Sequence, residues 1–541
     1  MINKWVLPVI LAIAFLFRVV GLNQYPIGFT PDEASFGYDA YSILKTGKDQ
    51  WGNFMPLVLK SFGDYKAPLY TYLTIPFVAV FDLTKFAVRL PNALLGVGAV
   101  YVLYLLVCEL LKNVSNLALN SRLTALLASL LLAVSPWHIM MSRGAFEANL
   151  ITFFLPLGIY LFLKNQYLLS SFVFGLNLFT YHSAKLITPL VVFALVVYSF
   201  NNLKKVGIKK LIPSVVVLSI FGLLTLYTFT QGAGARVKDV NIFSGSTEEG
   251  SVNKNLAVTS GEPYLKAKLF NNKFTVSADR FINNFVSYFS PQFLLTRGPA
   301  ETTYGMMPGN GVLNIVEFIG LIVFVVYMLR FENKKLAIFL LFWLFVSAVP
   351  ASLATGPGFA GNRAVAMVPV VQIIASIGLT YLTLKRKYLK YGILTLGIIS
   401  FIIFSEKYLF LSPHKSASGM LYGNLEVAEY LNSFQNNYET VIVSKSISEP
   451  HIYVAFATKF EPKEYQEATK SWQFEENNLK WVDQLPEYKM GKYVFRKYNW
   501  RDGLLQNNLV VARPEEFLPD TETIFKVNYP NGEPSIYVKS N

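Results

Sequence analysis

Residues 201–230 read NNLKKVGIKKLIPSVVVLSIFGLLTLYTFT. Four lysines, Lys204, Lys205, Lys209 and Lys210, sit in a short polar gap, and a mostly apolar, uncharged run of twenty residues, 211–230, follows it. A helix needs about twenty apolar residues to cross roughly 30 Å of hydrocarbon. A basic gap at one end is what sets the orientation of such a helix. Blocks of this kind recur outward from this one, at about 5–22, 90–111, 122–138, 148–163, 167–182, 186–202, 312–329, 336–353, 364–384 and 390–410. The chain of 541 residues is 53% hydrophobic and only 15% charged, where a soluble domain carries roughly a quarter charged residues. The pattern predicts a polytopic α-helical membrane protein with about eleven transmembrane helices.

The formal net charge is +14. Its distribution argues against nucleic acid as the partner. If the first residues lie inside the cell, the inside gaps carry Lys4; Lys112 and Arg122; Lys164; the four lysines above; Arg330, Lys334 and Lys335; and Lys385, Arg386, Lys387 and Lys390. Each gap is short and basic, as the positive-inside rule requires. The expected location is therefore the plasma membrane, multi-pass, with the N-terminus cytoplasmic and three long segments outside: 23–89, 231–311 and 411–541. Residues 67–81 are apolar but short, and counting them as a span would invert every later gap. They are expected to form a helix lying at the outer interface. The first block contains Arg18 and no small-residue cleavage site, so it is expected to be a retained anchor. The single cysteine, Cys108, forms no internal disulfide, and no CxxC or Cys/His cluster is present.

The expected organisation is a membrane domain, 1–410, followed by a small extracytoplasmic α/β domain, 411–541. In the latter, 424–436 reads as a helix, and Thr440–Ser444, Ile452–Phe456, Lys492–Arg496, Leu509–Ala512 and Thr523–Tyr529 read as strands. Pro530-Asn531-Gly532 turns into Ser535–Lys539 as a terminal hairpin. Nothing in this domain suggests catalysis.

Candidate chemistry lies in the outer loops. Gly28-Phe29-Thr30-Pro31-Asp32-Glu33 places two adjacent acids directly after a membrane exit. Adjacent carboxylates repel, and one can be held protonated or bridged by a cation. Equally, Thr30 can cap a helix that starts at Pro31, with Glu33 as the reciprocal partner. In Ser61-Phe62-Gly63-Asp64-Tyr65-Lys66-Ala67-Pro68, Lys66 could hold a lipid phosphate or snorkel to the interface. In the short second loop, Arg143 lies one turn before Glu147, and an acid at a span boundary is a functional candidate by default; a helix N-terminus also favours it there. His182, Arg280 and Arg363 are further candidates for an anionic headgroup. No GxGxxG follows a strand, and no GxxxxGK[ST] or HExxH is present, so an enzyme built this way would take an activated substrate from the membrane.

These motifs occur in an order that resembles the GT-C superfamily of membrane glycosyltransferases, in particular the protein O-mannosyltransferase (glycosyltransferase family 39 type) and lipid A aminoarabinose transferase branches. The order is Asp32-Glu33 after one span, the Asp64–Pro68 segment, Arg89-Leu90-Pro91 entering the second span, Arg143 and Glu147 in the second loop, and a soluble tail. Tyr65 directly before Lys66, and Ala67 before Pro68, depart from the family pattern. The resemblance implies a GT-C fold and an inverting transfer from a polyprenyl-phosphate sugar to an acceptor hydroxyl on the outer face. It implies Asp32 as general base, Glu147 as a second acid placing acceptor or cation, and Lys66 on the lipid phosphate. Asp32, Glu33 and Glu147 are thus the catalytic candidates, and Asp64, Lys66, Arg143, His182, Arg280 and Arg363 the substrate-binding ones. Asp32 and Glu147 are the residues that could hold a divalent cation. The acceptor could be a lipid, a glycan or a protein. The rival readings are a transporter or flippase of lipid-linked glycans and a non-catalytic assembly protein.

Overall fold

Each of the eleven apolar blocks is helical in the computed structural model, which describes residues 4–112, 114, 121–233, 241–299, 301–328, 331, 333–354, 359–504, 507–519 and 521–540. Arg330, part of the basic pattern, lies outside the described residues. The first helix, α1, is Val6–Val19, and the long α4 is Lys85–Leu110. Among the described residues, five helices are long and apolar enough to cross a membrane unaided, and up to seven if each of two bent pairs forms one span. The remaining apolar helices have 10–17 residues. The chain is a multi-pass helical membrane protein with a small sheet domain at its C-terminal end.

The bent pairs show how the bundle tolerates a broken helix. Ser121–Ala133 and Pro136–Ser142 meet at 56°. Pro136 has no N–H to give the carbonyl of Leu132 four residues before it, and in hydrocarbon a freed carbonyl must find another donor. Arg18, fully buried in α1, supplies it: its guanidinium donates to Leu132 O and Ala133 O, both at 2.9 Å. It also donates to His138 Nδ1 at 2.8 Å, so the His138 proton sits on Nε2 and is directed at Thr152 Oγ1, 3.0 Å away. The one charge in the first block is therefore a cross-link between α1 and the break.

Ile315–Met328 and Met367–Lys385 cross through two glycines. A methyl group on Gly378 would stand 2.1 Å from Gly320 O, and one on Gly320 would stand 2.5 Å from Ala375 O. Small residues allow this close approach of two backbones. Gln372 Nε2 donates to Glu317 Oε1 across the same crossing, at 2.6 Å.

Outside the bundle, the first loop folds into α2 (Pro31–Thr46), a short antiparallel pair β1 (Leu59–Lys60) and β2 (Tyr65–Lys66), and α3 (Leu69–Phe81). At 13 residues, α3 is about 20 Å long, short of the hydrocarbon thickness. The segment after residue 241 forms three helices, Ser246–Thr259, Tyr264–Phe270 and Lys273–Ser287.

The C-terminal sheet contains β3 (Thr440–Ser444), β4 (Glu487–Met490), β5 (Tyr493–Arg496), β6 (Asn508–Ala512), β7 (Phe525–Asn528) and β8 (Pro534–Ser540). Their spatial order is β4-β5-β3-β6-β8-β7. Only the pairs β3–β5 and β3–β6 are parallel. The helix expected at 424–436 is present as Asn424–Phe434. The strand expected over Ile452–Phe456 is instead helical, within Pro450–Thr458. Pro450 opens the helix, and residues 450–456 are all buried. A helix buried on every side has no polar stripe, so its apolar run cannot be told from a core strand by periodicity. β4 was not anticipated; it alternates exposed and buried residues against β5.

The glycine crossing is open to test. Gly378→Val is expected to lower the thermal midpoint of the detergent-purified chain, overpacking costing about 1–3 kcal/mol. Gly222→Ala, where nothing lies within 4 Å of the added carbon, should leave it unchanged or slightly raised. Equal midpoints for wild type and Gly378→Val would remove the crossing from the account.

Candidate active site

The first loop is built around one buried ion pair. Thr30 caps α2, accepting from the Glu33 N–H at 3.3 Å, while the Glu33 carboxylate accepts from the Thr30 N–H at 3.1 Å. The same carboxylate takes a bidentate bond from Arg89 of α4, Nε to Oε1 at 2.7 Å and Nη2 to Oε2 at 3.0 Å. It also accepts from Ala145 N in the second loop at 3.0 Å. Arg89 spends its other donors on Leu22 O, Pro26 O and Gly28 O. Both side chains are fully buried. Burial works to raise the Glu33 carboxyl, but the charge and hydrogen bonds of Arg89, with the Ala145 and Thr30 N–H groups, outweigh it and hold the carboxyl below its ordinary range. Glu33, a catalytic candidate in the sequence, is therefore enclosed and fully engaged in holding α2, α4 and two loops together. Of the two readings of the Asp32-Glu33 pair, the capping box describes Glu33.

Asp32, one residue away on the helix, faces outward. Its carboxylate is half exposed and lies 2.9 Å from Lys66 Nζ, whose side chain is 3% exposed. Phe36 and Phe62 flank the ammonium, with centroids at 4.7 and 5.1 Å. The β1–β2 turn presents Lys66, closed by Ser61 N donating to Asp64 O at 2.8 Å. His182 supports it, one ring nitrogen lying 2.9 Å from Tyr65 O; only a protonated nitrogen can donate to that carbonyl, so Nε2 carries the proton.

His182 also lines a cavity of about 490 Å³ with Lys185, Phe229, Phe243, Leu353 and Arg363. Lys185 Nζ donates to Thr228 Oγ1 at 3.2 Å. The lining is mostly apolar, with Lys185 and Arg363 as its two basic residues besides His182. Two sequence candidates, His182 and Arg363, thus share one cavity, and His182 ties it to the strand that bears Lys66.

Two other candidates have structural places. Arg143 gives its guanidinium to the carbonyls of Phe17, Val20, Gly21 and Tyr25 at 2.8–3.1 Å, pinning the exit of α1. Arg280 donates to Ile242 O and Ser244 O at 2.9 Å and pairs with Glu249, anchoring the helix Lys273–Ser287 to the start of its own segment. Glu147 is buried, 8% exposed, at the start of a 3-10 turn. Asn92 of α4 holds its loop, donating to Met141 O at 2.8 Å and Gly144 O at 2.7 Å.

The residues that sequence reasoning missed lie in the C-terminal domain. The segment at Glu449 comes down beside the first loop, and the charges of Asp32, Lys66 and Asp64 are felt at its carboxyl. Burial, then the nearby Asp483, push the Glu449 carboxyl up to about 9. Burial likewise lowers the His451 imidazole to about 3. Among the described residues, Glu449, His451 and Asp483 are the one group of three or more such side chains close enough to share a cation; Asp32 and Glu147 are not in it. No motif spacing signals this group, because Asp483 lies more than thirty residues from the other two.

The helical membrane bundle, the carboxylate–lysine pair linked through His182 to a mostly apolar cavity, and the small sheet domain together make a fold that solved structures share. Residues 9–230 match the family described as Dolichyl-phosphate-mannose-protein mannosyltransferase. Over its length the chain has the fold of ArnT from Cupriavidus metallidurans bound to undecaprenyl phosphate, with TM-score 0.54 and 11% identity over 99% of this chain and 98% of that one. The same protein in the apo state gives TM-score 0.52 and 12% identity over 98% and 97% of the two chains. No curated protein sequence matches the chain.

Breaking the buried pair leaves an uncompensated charge, which costs about 3–5 kcal/mol. Glu33→Gln and Arg89→Met are each expected to lower the thermal midpoint of the purified chain, and the double variant Glu33→Leu/Arg89→Met to cost less than their sum. Single variants that melt with wild type would show that the pair does not carry the loop.

Proposed function

We propose that the chain is an inverting glycosyltransferase that moves a sugar from a polyprenyl-phosphate donor to an acceptor hydroxyl at the outer face of the membrane. The observation that carries this reading is the Asp32–Lys66 pair, with Asp32 half exposed, joined through His182 to a mostly apolar cavity that Lys185 and Arg363 also line. The names of the comparison proteins support it: one family is named for a dolichyl-phosphate sugar donor, and the ArnT structure holds undecaprenyl phosphate.

The lipid tail would lie in the cavity, with its phosphate toward Lys185, Arg363 and Lys66. A phosphate is already a weak base, so its departure calls for positive charge and no proton. The acceptor oxygen attacks the anomeric carbon as the bond from that carbon to the phosphate oxygen breaks. The bonding pair leaves with the phosphate, and the acceptor proton passes to the Asp32 carboxylate. Charge at the ring builds as in glycoside hydrolysis. A single displacement inverts the centre. An incoming phosphate competes with Asp32 for the Lys66 ammonium, so donor binding would free the carboxylate to act as base. Glu147 is assigned to placing the acceptor, and Asp64 to the electrostatics of the Lys66 turn. Residues 1–410 would form the catalytic membrane domain, with the N-terminus inside and 411–541 outside.

Two experiments test this. Membranes holding wild type or Asp32→Asn are supplied with radiolabelled polyprenyl-phosphate sugars. Transfer is expected to fall by about 10²–10⁴-fold in the variant, with an unchanged thermal midpoint, whereas Glu33→Gln loses transfer and midpoint together. Full transfer by folded Asp32→Asn would overturn the assignment of the base. For orientation, an alkaline phosphatase reporter fused after Asn541 should be active, and one placed between Lys385 and Lys390 inactive; the opposite result would reverse the topology.

A further inference from the structure

Behind the Lys66 turn lies a second polar cluster that the transfer reaction does not use. Glu449 precedes the helix Pro450–Thr458, His451 sits in its first turn, and Asp483 comes from a separate segment. One ligand atom from each of the three lies within 4.8 Å of the others. His451 Nδ1 is 3.9 Å from Glu449 Oε2. His451 is fully buried, inside a ring of Phe62, Tyr465, Trp472, Tyr488 and Phe495.

The hydrogen bonds of this cluster do not close. The Tyr488 hydroxyl gives its single proton to Asp483 Oδ1, 2.5 Å away. Towards His451 Nδ1, 3.0 Å away, it can therefore only accept. The imidazole proton is then on Nδ1, and Nε2 is a bare lone pair with no partner. Glu449 Oε2 is also buried and without a partner, while Asp483 Oδ2 accepts from Glu449 N at 2.8 Å. Buried polar groups are normally satisfied, and leaving one unmade costs roughly 1–3 kcal/mol. The Nε2 lone pair has no donor, and two carboxyls buried beside one another disfavour each other's charge; a divalent cation would satisfy all three, taking the place of any proton on Glu449. One imidazole and two carboxylates suit a zinc-class divalent ion, bound at about 2.0–2.2 Å. Ligands around such an ion stand roughly 3.2–3.6 Å apart by that geometry, so the three side chains would draw closer together on binding it.

We propose that Glu449, His451 and Asp483 form a zinc-class cation site in the C-terminal domain whose occupancy positions the turn carrying Lys66. The link is direct packing. Val482 N, next to Asp483, donates to Phe62 O at 2.9 Å. The Phe62 ring meets the His451 ring edge-on at 5.4 Å and also flanks the Lys66 ammonium. Gly63 lets the turn approach, since a methyl group there would stand 2.2 Å from Lys480 O. The ion would clasp residues 449–451 to residue 483, and that clasp would hold Phe62 and, through it, Lys66. The positioning role rests on the transferase reading; the cation site does not.

The test uses the full chain in detergent, purified without chelator, and reads metal content by plasma mass spectrometry and the thermal midpoint on adding Zn²⁺ or Co²⁺. About one equivalent of metal per chain is expected, with a midpoint that rises on adding ion and falls with chelator. Co²⁺ should give visible absorption bands of a four- or five-coordinate site. His451→Gln and Asp483→Asn should each weaken binding by at least tenfold, while Glu487→Gln, on the exposed strand edge, leaves it unchanged. Because a variant at buried His451 can simply misfold, the wild-type titration stands by itself: no metal and no midpoint shift would overturn the site. Undiminished binding in folded His451→Gln would overturn it too, as adventitious metal. Binding as expected, with chelation raising KM for the donor and leaving kcat, supports the positioning role; binding with no effect on an active enzyme overturns that role alone. Absence of any transfer would fault the transferase reading and leave the metal result standing.

Discussion

The Glu33–Arg89 pair is the constraint on which the packing of the first two loops against the bundle depends. Five donors and two carboxylate oxygens are satisfied at one buried point, and the groups they reach come from the exit of α1, the start of α2, the body of α4 and the second loop. A buried ion pair is weak evidence for net stability, because desolvation offsets much of the attraction. Its contribution here is geometric. An arginine fork and a carboxylate fit in one way, and satisfying every remaining lone pair leaves the first loop a single arrangement. With Glu33 fixed inward, its neighbour Asp32 is turned outward toward Lys66 by the 100° step of the helix.

The same logic of satisfied polar groups runs through the membrane half. Arg18 completes the carbonyls that Pro136 leaves open, and Arg143 gathers four carbonyls where α1 ends. In hydrocarbon an unpaired carbonyl is costly, so a break or an exit must bring its donor with it. Arg143 resembles a headgroup ligand in a one-dimensional reading because ligand-binding and backbone-capping arginines sit at the same membrane boundary.

The C-terminal domain is joined to this scaffold by a buried helix. Tyr453 donates to Phe29 O at 2.8 Å, and the Phe456 ring meets Phe29 at 5.0 Å, beside Gly37 of α2. The contact carries Glu449 down to the first loop. A tail of ordinary soluble composition thus contributes to the surroundings of the proposed transfer site, although no motif in it announces a role.

What the sequence determined by itself is what depends on local pattern: eleven helical blocks from apolar runs bounded by basic gaps, the cap at Thr30, and the strands at 440–444, 509–512 and the terminal hairpin, where alternation and turn residues are strong. It also brought Asp32, Lys66 and His182 forward, because charged residues at a membrane boundary are expensive and stand out. Tertiary structure alone decided that Glu33, Arg143 and Arg280 are bonded to distant parts of the chain, since their partners come from segments that only the fold brings near. It decided that Ile452–Phe456 is a helix, because burial on all sides removes the period that would have said so. It alone assembled Glu449, His451 and Asp483, since side chains separated along the chain meet only when the sheet and its helices pack.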